Sequence, residues 1–141
     1  MIKINWKIVA AVVTAALVVT TAGFVVWAND ASPADAAALA ALTSDAQVTV
    51  SEENGFVVFY PAENARPETG FIFYPGGKVD YRAYAPVLKL IAAQDVIVAV
   101  VPVRLNLAFF DINAAARVEA AYPEVKNWFV GGHSLGGVAA S

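Results

Sequence analysis

The chain has 141 residues, enough for one domain, with no cysteine and one histidine. It therefore has no disulfides, thiolate nucleophile or cysteine metal site, and a conventional zinc site is disfavoured. Past Lys3 and Lys7, seven basic side chains face twelve acidic ones, so neither a nucleic-acid surface nor an anionic-lipid surface is expected.

Hydrophobic residues make up 59% of the chain, above the roughly 45–50% of ordinary soluble domains, and part of the excess sits in one stretch. From Ile8 to Ala28 there are 21 residues without a charge, which as a helix span about 31 Å, the thickness of a bilayer's hydrocarbon core. Lys3 and Lys7 precede this stretch and Asp30 and Asp35 follow it, so the N-terminus is expected in the cytoplasm and the remainder outside. The run is longer than the core of a cleaved signal, and Trp6 and Trp27 stand at its ends as interfacial residues. Residues 1–28 are accordingly read as a membrane anchor, with a cleaved signal and a secreted product as the alternative.

Residues 29–44 are rich in alanine. Ser32-Pro33-Ala34-Asp35 reads as a helix start with Ser32 as cap, and a short helix ending near Thr43 is expected to act as a stalk. Gln47–Ser51 alternates polar and apolar, Glu52-Glu53-Asn54-Gly55 supplies turn residues, and Phe56–Tyr60 is β-branched and aromatic, which together read as a hairpin. Pro61–Glu68 reads as a loop. Phe71–Tyr74 is a short apolar run, as in a strand buried on both faces, broken at Pro75-Gly76-Gly77.

The period then changes. Tyr84, Val87, Leu88 and Ile91 follow helical spacing, with Pro86 in the first turn and the helix starting near Ala85. Val96–Val101 is a buried strand closed by Pro102. Asn113–Ala121 is a weaker helix ended by Tyr122-Pro123, and Trp128–Val130 is a strand. This alternation implies a parallel sheet covered by helices on both faces after an initial hairpin.

The last strand leads into Gly132-His133-Ser134-Leu135-Gly136. This fits G-x-S-x-G, which places a serine on a sharp turn between a strand and a helix with its hydroxyl exposed. The small residues Gly137, Val138, Ala139 and Ala140 follow, so the strand and the helix that the pattern needs are both at least begun. On these five residues alone, a glycine-rich turn that happens to contain a serine fits equally well. Asp111 and Glu119 read as solvated surface. Arg104 and Asn106 follow a strand end and read as solvated loop residues, with the edge of an active-site mouth as the alternative.

With two glycine motifs at compatible positions, residues 45–141 resemble the α/β-hydrolase family. Within it the chain is most similar to small bacterial hydrolases related to the dienelactone hydrolases, although those carry cysteine at the elbow. Serine instead implies esterase- or lipase-type chemistry. The resemblance implies Ser134 as nucleophile and the Leu135 backbone N–H as one oxyanion donor. The second donor is Gly77, with Gly76 letting the loop approach the substrate; Gly76 as donor is the near alternative. Proline occupies the place where histidine is common in this loop.

In this family the acid and histidine follow the serine, so His133 is expected to be structural, packed behind the nucleophile, and not the catalytic base. The resemblance also implies that about three further strands complete such a domain. The intact protein is thus expected to be a membrane-anchored serine hydrolase of small-molecule carboxylic esters, needing no cofactor or metal. Residues 1–141 alone are expected to show little turnover. The rival reading is a non-catalytic α/β-hydrolase-like binding module.

Overall fold

The computed structural model describes residues 5–62 and 67–141. Lys3 and residues 63–66 of the expected loop lie outside the described residues. Helix α1 spans Trp6–Asn29, capped by the Asn5 side chain, which accepts from the Lys7 N–H. By length and composition it is the one helix among the described residues fit to cross a membrane, though a signal sequence passes the same test. It is exposed along its length until Ala28, which is fully buried.

Helix α2 is Ala36–Ala41. Its cap is Asp35, whose Oδ1 accepts from Ala38 N–H at 2.7 Å, and not Ser32 as the sequence suggested. The Ser32 backbone is engaged elsewhere: its N–H donates to Lys78 O at 2.8 Å and its carbonyl accepts from Asp80 N–H at 2.9 Å. Nor is α2 a stalk. Ala38 is buried, and the segment after it is tied down by Lys89, which bonds Thr43 O and pairs with Asp45 at 2.8 Å.

Five strands, β1 Val48–Glu53, β2 Phe56–Pro61, β3 Thr69–Tyr74, β4 Ile97–Val100 and β5 Asn127–Gly132, form one mixed sheet in the order β1-β2-β4-β3-β5. The hairpin turns at Asn54 and Gly55, both at positive φ (52° and 80°), as a two-residue turn matched to strand twist demands. β2 runs antiparallel to β1 and β4, whereas β3 is parallel to both β4 and β5. The parallel arrangement expected from the alternation thus holds for three strands, with the hairpin as an antiparallel flank.

Helices α3 (Ala85–Ala92) and α4 (Ala114–Ala121) cover opposite faces. Because strand side chains alternate, Val57, Phe59, Val98 and Val100 meet Ala85, Leu88 and Ala92 on one side. Val58, Ile72, Tyr74, Ala99 and Val101 meet Ala114 and Val118 on the other. The face that α3 presents is therefore Ala85, Leu88 and Ala92. Val87, assigned to that face by spacing, is 48% exposed. Tyr84 lies just before α3, at the end of a 3-10 turn, Tyr81–Tyr84. β5 is an edge strand, with Phe129 63% exposed.

Since β3, β4 and β5 run the same way, their C-terminal ends share one edge of the sheet. Three connections gather there: residues 75–80 after β3, 101–113 after β4, and the turn from β5 into helix α5, Leu135–Ala139. Ligands of open α/β sheets bind at this edge.

Candidate active site

The turn from β5 into α5 is built on Ser134, which holds φ 51° and ψ −117°. A non-glycine residue there stores on the order of 1–3 kcal/mol of strain, which persists only if its surroundings impose it. The backbone imposes it from both sides. His133 N–H donates to Tyr74 O at 3.2 Å, Gly136 N–H to His133 O at 2.8 Å, and Gly137 N–H to Ser134 O at 2.9 Å.

The flanking glycines follow from the same crowding. A Cβ on Gly136 would lie 2.2 Å from Tyr74 O, and one on Gly132 would lie 2.5 Å from the Gly136 carbonyl carbon. Helix α5 therefore starts directly over the end of β3, and no side chain fits at either position. Ser134 itself is exposed, and its hydroxyl makes no hydrogen bond among the described residues.

The loop after β3 reaches this turn. A Cβ on Gly77 would stand 3.1 Å from Leu135 Cδ2, and one on Gly76 would stand 2.8 Å from His133 Nδ1 and from the Tyr84 hydroxyl. The Gly76 N–H donates to the Tyr84 hydroxyl at 3.0 Å. Among the described residues, the N–H groups of Gly77 and Leu135 have no hydrogen-bond partner. Two unpaired backbone donors thus lie on the serine turn and on the loop packed against it. That arrangement suits a group developing negative charge.

His133 is not packed behind the serine as expected. It is exposed, and its Nδ1 lies 3.0 Å from the same Tyr84 hydroxyl. Tyr84, which sequence spacing placed on an apolar helix face, is therefore the hub joining the loop to the turn. Its ring also packs at a tilt against Phe73, 4.8 Å between centroids. No local pattern marks this role, because it depends on three segments meeting.

Asp111 is not solvated surface as expected. It is 6% exposed, since the loop after β4 folds round its carboxylate: Oδ2 accepts from Arg104 N–H at 2.8 Å, and Oδ1 from the guanidinium groups of Arg104 at 3.0 Å and Arg117 at 3.4 Å. Glu119 is exposed, as expected. Arg104 lines a groove of about 510 Å³ with Asn54, Phe56, Pro102, Asp111 and Arg117, and Ser134 is not among its lining residues. Asn106 faces the other way. Its carbonyl accepts from Lys78 N–H at 2.8 Å and its Nδ2 donates to Ala28 O at 3.2 Å.

Tyr74 supports both loops. Its carbonyl holds His133, while its buried hydroxyl donates to Ile112 O at 2.9 Å and accepts from Ala115 N–H at 2.8 Å. Burial raises the pKa of that hydroxyl, so it stays protonated and able to donate.

Comparison with curated proteins gives no match. The family model described as "Alpha/beta hydrolase family" matches residues 70–141, from the start of β3 through the serine turn. With the sheet order and the strained serine at the C-terminal edge, the match covers the parts that position the site. The chain belongs to the alpha/beta hydrolase family.

Proposed function

We propose that this hydrolase acts on carboxylic esters through an acyl-enzyme on Ser134, while α1 holds it to a membrane. What supports this is the exposed Ser134 hydroxyl on a strained turn, with unpaired N–H groups at Leu135 and at Gly77 of the adjoining loop. Ser134 Oγ attacks the ester carbonyl, and the two N–H groups stabilise the oxyanion that forms. The alcohol leaves with a proton, and water then releases the acid and restores the serine. Between the two candidate loop donors the reading takes Gly77, because the Gly76 N–H is already held by Tyr84.

A serine of ordinary acidity needs a base. The only histidine in the sequence is held by Tyr84. The family's order of serine, acid and histidine directs the search for both partners C-terminal to Ser134. The substrate is a small-molecule ester, and this chemistry calls for no cofactor. Lys3 before α1 and Lys7 in its first turn support a cytoplasmic N-terminus with the domain outside.

The test uses protein made from its complete reading frame. A fluorophosphonate probe should label it, and Ser134→Ala should abolish labelling. Labelling that persists in the variant overturns the reading. A folded protein that binds esters but is never labelled would instead be a non-catalytic binding module.

A further inference from the structure

The end of the membrane helix does not stand clear of the domain but packs into it beside the serine turn. Ala28 is fully buried, and its carbonyl accepts from Asn106 Nδ2. The Lys78 ammonium lies 4.6 Å from the centroid of the Trp27 ring. Phe24 meets Phe110 edge-on, with centroids 6.3 Å apart. Phe24 precedes the last residue of α1 by five positions, roughly 7.5 Å along a helix axis. A residue packed sideways against Phe24 therefore sits at the depth of the apolar span, within the about 5–10 Å that interfacial segments penetrate.

Phe110 belongs to the loop after β4, whose tip is apolar and uncovered. Phe109, Phe110 and Ile112 are 49%, 41% and 56% exposed, and no charge lies between Arg104 and Asp111. The base of the loop is fixed by the buried Asp111 and by the Tyr74–Ile112 bond. It is thus a rigid projection whose apolar tip points to the side where α1 enters the bilayer. Exposed aromatic and aliphatic side chains at such a place are favoured by transfer out of water.

The same loop adjoins the catalytic turn. Leu107 Cδ2 would lie 3.6 Å from a Cβ on Gly77, whose other neighbour is Leu135. An apolar path therefore runs from Phe24 through Phe110 and Leu107 to Gly77 and Leu135.

We propose that Leu107–Ile112 is a membrane-seated wedge and that the site takes its ester from the bilayer, so that the substrate class is an acyl ester of a membrane-resident amphiphile. The wedge rests on packing alone, whereas the substrate class rests also on the serine-ester reading above. Arg104 and Arg117 line a groove with Phe110 and Ile112, but both are engaged by Asp111, so the partner is the apolar lipid interface and not an anionic headgroup.

Because residues 1–141 contain no cysteine, single cysteines at Phe109, Phe110 and, as an aqueous control, the exposed Leu90 of α3 can carry an environment-sensitive fluorophore. The full protein is reconstituted in phosphatidylcholine vesicles containing a shallow spin-labelled lipid. Labels at 109 and 110 should be quenched at least about twofold more than the label at 90. Equal quenching at all three overturns the wedge.

Separately, Phe110→Asp should lower the ratio of turnover on a bilayer-dissolved ester to turnover on a water-soluble ester by about tenfold. An unchanged ratio overturns the substrate class. If no ester is hydrolysed at all, the serine-ester reading and the substrate class fall together. The quenching result decides the wedge independently.

Discussion

Nδ1 of His133 lies 3.0 Å from the Tyr84 hydroxyl, which also accepts the N–H of Gly76 at 3.0 Å. One phenol thereby fixes the distance between the serine turn and the loop proposed to supply the second oxyanion donor. Tyr84→Phe keeps the ring against Phe73 and removes only the clamp. It should cost about 1–3 kcal/mol in urea unfolding, as expected when a donor loses its partner. The rate of fluorophosphonate labelling of the full protein should fall about tenfold without vanishing. An unchanged rate would mean that the clamp does not position the donors.

The glycines of the serine turn should be unequal. At Gly136 a methyl group would meet Tyr74 O at 2.2 Å, whereas at Gly137 the nearest atom would be 3.3 Å away. Gly136→Ala should therefore destabilise by about 3 kcal/mol or more, because the obstacle is backbone that cannot rotate away. Gly137→Ala should stay within about 1 kcal/mol of the parent, since a helical alanine offsets the mild crowding. Thermal unfolding of both variants tests the difference.

Asp111 closes the loop after β4 by accepting the Arg104 N–H as well as two guanidinium groups. Asp111→Ala should cost about 2–3 kcal/mol, since it removes charge-assisted bonds and leaves a backbone donor without its acceptor. Asp111→Asn keeps an acceptor and should cost less. Denaturant titration of the two variants should preserve that order, and a smaller loss in the alanine variant would contradict the assignment.

Asp45 links the segment after α2 to α3. The Lys89 ammonium, aided by the N–H groups of Gln47 and Val48, lowers its pKa from 3.8 to about 2. A folded-state pKa below the unfolded one means that the contribution is present above about 3.8 and is lost as pH falls toward about 2. Asp45→Asn should flatten the dependence of the unfolding temperature on pH across that window, while the parent protein loses stability there.

Much of this architecture is legible in the sequence because its signals are local. The change from period 2 to helical spacing separates strands from α3 and α4, and Asn54-Gly55 can only be a tight turn. The spacing of Gly132, Ser134 and Gly136 records the crowding of α5 over β3. Features that depend on distant segments meeting are not legible. Ser32 has the right chemistry for a cap, but its backbone pairs beside Val79 and leaves the cap to Asp35. Asp111 reads as surface because its arginine partners lie seven and six residues away on either side. Their convergence is a property of the loop's fold. Tyr84 reads as apolar because its ring is, while its contacts to Gly76 and His133 are made by its hydroxyl.

In the proposed reaction Ser134 carries the acyl group. The most direct measurement mixes the full protein with an ester whose acyl-enzyme hydrolyses slowly, quenches with acid and determines peptide masses. One acyl adduct is expected, on the peptide containing Ser134, with adduct and turnover both absent in Ser134→Ala. Ester turnover that continues in Ser134→Ala, with no adduct on the parent serine, would contradict it.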